Sequence, residues 1–418
     1  MVHHTMNTNS AKASKASSKI TAMSSPSRVG RLRGSLAALA ILGLLVACAA
    51  PPAPPVKPST PPPAATPALE EQAPRQRQVL LRERSRWVAA DWSELPGWGQ
   101  DRATELWPAL LQSCARPAPG WAAVCARARM EPPPTDDTSA SLWLMQHLRP
   151  YRVESLEGET QGLLTGYFEP QLEATRRPQG AFKVPVLGAP ADLQQRRPYF
   201  TRQQIESEPA VKARLREREL AYLDDPLDLL VLQIQGSGRV RFSSLDGSQQ
   251  WVRLAFAGHN DHPYQSIGKT LIERGELRPG EASWPQIRDW LRRNPQRSNE
   301  LLWTNPRYVF FREEALPDLN LGPRGAQGVP LTPGRSIAVD RNSVPYGTPV
   351  WLDASEPLSS QPLRRLAMAQ DTGSAIVGAV RADYFWGWGR EAETQAGRMK
   401  QPLRLWALWP DDGTGTSR

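Results

Sequence analysis

The chain has 418 residues, of which 40% are hydrophobic, enough to bury a sizeable core in about two or three domains. The net charge is +9, but six Lys/Arg and no acid precede Cys48, which lowers the remainder by six to +3. With no later basic patch interleaved with aromatics, this excludes an electrostatic case for a nucleic-acid partner.

In chain order, residues 1–48 read as an export signal. Arg28, Arg31 and Arg33 form a basic region, and Gly34–Ala47 is an apolar run of fourteen, too short to span a membrane. Leu45-Val46-Ala47-Cys48 resembles the bacterial lipobox, in which the Cys is diacylated and becomes the first residue. The alternative is an ordinary signal cut near Ala47, with Cys48 incidental. The stretch before Arg28 is long for such a region and points to Met23 as the start. Residues 49–75 are rich in Pro and Ala and favour an extended, polyproline-like tether. Ala49 rather than Asp after Cys48 suggests, by resemblance to bacterial lipoproteins, the outer membrane. In an exported chain the remaining cysteines, Cys114 and Cys125, read as a disulfide worth about 2–3 kcal/mol. Two buried free thiols are the alternative.

Residues 76–149 read as mostly helical, with Val79, Leu80, Trp87, Leu106, Trp107, Leu110 and Leu111 near helical spacing. Ser141–Leu148 is a short helix capped by Asp137 or Thr138. From Gly162 the texture becomes β. GLLTGYFEPQLEAT is a strand with Thr165, Tyr167 and Glu169 on one face. KVPVLG is another strand, and 203–218 is a polar, solvated helix. Asp228–Phe242 reads as a buried strand carrying Gln233 and Gln235 into the turn Gly236-Ser237-Gly238. Asp246-Gly247 is a hairpin turn leading into the strand WVRLAFAG, and helices follow over 264–273 and 284–293. From Tyr308 onward, short strands separated by Gly/Pro turns suggest a small barrel, with AIVGAV (375–380) among its strands.

Asp340, Asp371 and Asp383 end or follow the apolar strands SIAVD, LAMAQD and AVRAD, where they could converge. Gly373 and Ser374 leave the Asp371 carboxylate open to a ligand and to backbone N–H groups. Tyr384, Phe385, Trp386 and Trp388 are either a sugar or peptide platform or core. Asp371-Thr372-Gly373 also matches the aspartic-protease triplet, whose chemistry needs two carboxylates sharing a proton. No second copy exists in the chain, so only a homodimer could supply one. His259 and His262 are followed at once by Pro263 and read as a loop, so no metal site is expected. Neither a phosphate-binding glycine loop nor a nucleophile elbow is present, and no cofactor is expected.

TGYFEP (165–170), QIQGSG (233–238), FAGHNDHPYQSIGK (256–269), NPRYVFF (305–311), AVDRNSVPYGTPV and AQDTGSAIVGAVRADYFWGWG resemble the membrane-bound lytic murein transglycosylase A family, with a C-terminal 3D domain. Three departures stand out: Ser374 replaces a second Gly, Glu169 a Thr, and Asp261 a Gly. The resemblance implies a mainly β fold with a helical N-terminal part. A double-psi β-barrel domain would be built from 76–170 and 304–410, with a glycan-groove domain inserted over 171–303 and a tail over 411–418. It implies a monomer that takes peptidoglycan glycan strands in the groove, a lipid anchor on the periplasmic face of the outer membrane, and contacts with cell-wall synthesis complexes. It assigns Asp371 as the single catalytic acid, with Asp340 and Asp383 in support. Thr165, Tyr167, Glu169, Gln233, Gln235, Lys269, Gly373 and Ser374 are the expected groove residues. A non-catalytic peptidoglycan-binding barrel is the competing expectation.

Overall fold

The structure, a computed structural model, describes residues 77–243 and 248–410. The export signal, Cys48, the tether, the Asp246-Gly247 turn and the tail lie outside the described residues.

The chain first forms β1 (Val79–Leu81), β2 (Arg86–Ala89), β3 (Leu148–Glu154) and β4 (Gly162–Glu169). It then departs for β5 (Gln171–Ala174), β6 (Val184–Leu187), β7 (Glu219–Leu223), β8 (Ser237–Ser243), β9 (Gln249–His259) and β10 (Val309–Ala315). It returns for β11 (Ser336–Val339), β12 (Pro349–Ser355), β13 (Pro362–Asp371), β14 (Arg381–Trp388) and β15 (Lys400–Pro410). The first and last groups share one sheet, ordered β1-β2-β3-β15-β12-β13-β11-β14-β4. β15 is long enough to pair with β3 through Trp406–Pro410 and with β4 through Lys400–Leu403. The second pairing closes β4, β14, β11, β13, β12 and β15 into a six-stranded ring. Closure leaves these strands no free edge. Two of the ring's pairings are parallel, β11 with β13 and β14 with β4.

Ring strands are covered on both faces, so their apolar residues run on without alternation. In β13, Leu366 and Met368 pack outward with Trp351 and Leu408, while Ala367 and Ala369 pack inward with Ile337, Val350 and Leu405. Small inward residues suit a ring this narrow. The outer layer is completed by α1 (Trp107–Cys114), α2 (Ala122–Met130) and α3 (Asp137–His147). A disulfide joins Cys114 and Cys125, with Cα atoms 5.2 Å apart. Helix α3 starts earlier than expected because Asp136 caps it, accepting from the Ser139 N–H at 2.8 Å. Val79, Leu80 and Trp87 lie in β1 and β2, not in a helix. So few apolar residues fit either period, and packing decides: Trp87 is buried, its indole N–H donating to the Ser343 carbonyl at 3.2 Å.

A second sheet, ordered β10-β9-β8-β5, and the pair β6-β7 make up the insert. Val309–Ala315 therefore belongs with the insert, and the chain crosses back through residues 316–335. The insert's helices are α4 (Arg202–Ser207), α5 (Pro209–Leu215), α6 (Pro226–Gln235), α7 (Ile267–Glu273), α8 (Trp284–Arg293) and α9 (Ser298–Leu302). Back in the ring, α10 (Gly389–Arg398) joins β14 to β15.

Two strand expectations are corrected. Most of the segment read as one strand over Asp228–Phe242 is α6. The Asp225 carboxylate accepts from the Leu227 N–H at 2.8 Å, Pro226 occupies the first turn, and Gly236 ends the helix at a φ of 81°. The helix is buried nearly all round, so its sequence carries no helical period. AIVGAV is not a strand either, since β14 begins at Arg381. Gly378 adopts a φ of 129° and donates its N–H to Asp340 Oδ2 at 3.0 Å, which holds this segment as a turn.

Candidate active site

Strand register assembles the site. Ala338 of β11 is aligned with Asp371 on β13 and with Asp383 on β14, and Asp383 is aligned with Thr165 on β4. Asp371, Ala338, Asp383 and Thr165 thus form one row across four strands. The Cα atoms of the two acids stand about 10 Å apart, two strand spacings. One step along, Tyr167 is aligned with Phe385, and their rings are 5.2 Å apart.

Both Asp371 oxygens are held. Oδ1 accepts from the Ala326 N–H at 2.9 Å and Oδ2 from the Tyr167 hydroxyl at 3.0 Å. The carboxyl faces the cleft but is enclosed by protein elsewhere. Burial raises its pKa to about 6, against the pull of the Thr372 and Ala326 N–H groups and Tyr167, and the Asp383 charge adds to the rise. Burial also raises the Asp383 carboxyl, while the hydrogen bond from Thr165 and the Arg381 charge draw it back. Burial and both carboxylates push the Tyr167 phenol well up, so it remains a donor. Asp371 can therefore carry a proton near neutrality and also release it, as a general acid–base must.

A cleft of about 870 Å³ opens over Asp371 between ring and insert. Asp371, Gly373, Ser374, Tyr167 and Phe385 line it from the ring; Gln233, Gln235, Phe256 and Arg307 line it from the insert. Gln233 donates to the Val309 carbonyl at 3.1 Å and accepts from Arg202. Gln235 accepts from the Phe168 N–H at 3.0 Å, and its amide nitrogen has no described partner.

Several expected residues stand elsewhere. Asp340 does not line the cleft; it accepts from the Asn342 and Gly378 N–H groups, both at 3.0 Å, and so holds two turns. Thr165 lies behind Asp383, donating to it and accepting from Arg381 at 2.9 Å. Glu169 is fully buried between Arg239 at 2.7 Å and Arg253 at 2.6 Å, closed to any ligand. Lys269 is exposed on α7, paired with Glu273 at 3.4 Å, and away from the cleft. Trp386 donates to the Met399 sulfur at 3.3 Å, and Trp388 carries the Arg239 guanidinium 3.6 Å from its ring centre. Neither lines the cleft. His259 and His262 face different partners, the Asp261 N–H at 3.0 Å and the Tyr199 carbonyl at 2.9 Å.

Sequence reasoning missed the segment 323–331, which brings the Ala326 N–H to Asp371. Its only signal is PRGAQG, a glycine-flanked stretch with no period. Phe256 and Arg307 were within quoted motifs but were not singled out.

Residues 163–312 match the MltA specific insert domain, and residues 335–409 match the 3D domain. A membrane-bound lytic murein transglycosylase A of Vibrio cholerae is 36% identical over 259 residues, covering 60% of this chain and 67% of the relative. Among solved structures, the lytic transglycosylase LtgG of Burkholderia pseudomallei is 41% identical, with a TM-score of 0.56, covering 81% of this chain and 99% of its own. The Escherichia coli MltA with bound chitohexaose is 27% identical, with a TM-score of 0.60, covering 74% and 89%. A mostly β fold with the raised Asp371 carboxyl in a cleft between ring and insert, set beside these relatives, defines the class as the peptidoglycan-cleaving lytic transglycosylases. The chain belongs to the membrane-bound lytic murein transglycosylase A family.

Proposed function

We propose that this chain cleaves the β-1,4 bond between N-acetylmuramic acid and N-acetylglucosamine in peptidoglycan without water, leaving 1,6-anhydromuramoyl ends, and that Asp371 is its only catalytic acid–base. The observation that carries this is the Asp371 carboxyl, raised to about 6 in a cleft of about 870 Å³ lined by both ring and insert. Asp371 gives its proton to the leaving glycosidic oxygen as the bond to C1 breaks. The oxocarbenium-like centre is then attacked by the muramoyl C6 hydroxyl, whose proton returns to Asp371. A hydroxyl on the same sugar outcompetes bulk water because its approach costs little entropy. A hydrolase would need a second carboxylate free to activate water or to bond the sugar. Asp383, committed to Thr165 and beside Arg381, is poorly placed for that. Tyr167 and Ala326 position the acid, while Gln233, Gln235, Gly373 and Ser374 meet the glycan.

The reading extends to the rest of the chain. The six-stranded ring, with its two parallel pairings, is read as a double-psi barrel formed by 77–170 and 316–410, and the groove-forming insert as 171–315. Cys48 is read as the lipid attachment point, placing the body in the periplasm at the outer membrane.

The test is a mass spectrum of the soluble products from purified murein. Wild type is expected to release ends lighter by one water than hydrolysed ends, and Asp371→Ala to release none while still sedimenting with murein. Release of anhydro ends by Asp371→Ala would end the catalytic assignment. Binding without any product from wild type would leave the non-catalytic module.

A further inference from the structure

The charges around the cleft do not balance within the protein. Five arginines line it against two carboxylates, Asp371 and Asp383. Arg202 is consumed internally by Glu206, Gln233 and the Asn305 carbonyl. Arg312 pairs with Glu314 at 2.6 Å, and Arg307 donates to the His262 carbonyl at 3.2 Å. Arg116 and Arg324 make no ion pair with any described residue.

These two converge on one glycine. Arg324 Nη1 donates to the Gly328 carbonyl at 3.1 Å. A Cβ on Gly328 would fall 2.2 Å from Arg116 Nη1, so the guanidinium lies against this glycine. The glycine's φ of 82° disfavours any other residue. Both guanidiniums are exposed, so water screens their mutual repulsion, and an anion bound between them would relieve it further. Their guanidinium forks are the shape that grips a carboxylate through paired hydrogen bonds.

The backbone that carries this pair is tied to the acid by shared contacts. Gln327 donates from its side chain to the Arg116 carbonyl at 3.1 Å and from its backbone to the Gln370 carbonyl at 3.0 Å. Ala326, next in the same segment, holds Asp371. The Cys114–Cys125 disulfide braces the turn that carries Arg116. An anion bound here would therefore lie in the same cleft as the acid.

In murein, the free carboxylates near the muramoyl glycosidic bond are those of the peptide stem on its lactyl ether. We propose that Arg116 and Arg324 form a carboxylate site for the anionic stem of the muramoyl unit beside the scissile bond. The chain then acts on peptide-bearing strands in preference to stripped glycan. This rests on the transglycosylase reading above and adds to it a choice of substrate.

The experiment compares kcat/KM, measured from anhydro ends, on peptide-bearing glycan strands and on the same strands stripped of their stems by an amidase, with the lactyl carboxylate that this exposes capped as its methylamide. Wild type is expected to favour the peptide-bearing strands about tenfold, the worth of one good charge-assisted contact. The double variant R116A/R324A brings that ratio close to one, and R116E/R324E brings it below one. Should the alanine variant melt early, R116Q/R324Q keeps the inner part of each side chain without its charge and is read by the same ratio. A wild-type ratio of one, or a wild-type ratio retained in the variants, overturns the site. If wild type yields no anhydro ends from either strand, the transglycosylase reading fails and the site falls with it, so the two failures are told apart.

Discussion

Burial and hydrogen bonding pull the Asp371 carboxyl in opposite directions, and burial wins. The acid must be protonated to start the reaction, so kcat/KM is expected to fall as pH rises through about 6. The Tyr167 hydroxyl lowers this pKa, so Tyr167→Phe should move that limb to higher pH; a limb that stays put would deny Tyr167 its positioning role. The same shift bears on stability. Asp371 binds its proton more tightly folded than unfolded, so its contribution favours folding at acid pH and is lost as pH rises through about 6. Asp371→Asn should therefore melt above wild type at pH 8, and the gap should close toward pH 4. Its activity should drop by about 10²–10⁴-fold, the usual worth of a general acid. Melting curves across that pH range, beside product release, check both halves. Thr165 and Tyr167 were legible as one face of a strand. Ala326 was not, because a backbone N–H leaves no mark in side-chain chemistry.

At the scale of elements, α6 shows what period alone misses. Its caps, Asp225, Pro226 and Gly236, were all in the sequence, but the apolar run between them fits a buried strand equally well. Nothing lies within 4 Å of where a Cβ on Gly236 would stand, so a substitution there costs only backbone strain. Gly236→Ala should lose about 1 kcal/mol in urea unfolding. A neutral result would mean that the helix end relaxes freely and does not hold Gln235 on the cleft. The AIVGAV turn misled for another reason. Its residues suit a strand, but Asp340, far back in the chain, takes the Gly378 N–H and turns it. No local rule anticipates that capture.

The whole molecule depends on where the chain passes between ring and insert. Glu169 ends β4 at the first crossing, and Arg239 and Arg253 grip it from β8 and β9. The same arginines donate to the Leu321 carbonyl, at 2.9 Å from Arg239, in the returning segment. One buried ionic knot therefore ties both crossings, and the cleft lies between the two parts it joins. Removing the acid leaves two buried cations without their partner. Glu169→Ala should cost about 3–5 kcal/mol in denaturant unfolding and raise KM through a looser cleft. A loss below about 1 kcal/mol would show that the knot is not buried in solution. Glu169 was expected at the groove because it shares a strand face with Thr165 and Tyr167. Only the packing of β8 and β9 over the end of β4 turned it inward.

By itself, the sequence determined the β-rich body, the acid at position 371 with open residues after it, and, through its motifs, the family. These are local matters: a strand's length, a glycine beside a carboxylate, a run of matched residues. Tertiary structure decided which acids meet the cleft, which are spent on turns and salt bridges, and which arginines are left over. Those outcomes depend on strand register and ring closure, which join residues up to hundreds of positions apart, and on burial, the main cause that raises the Asp371 carboxyl toward neutrality.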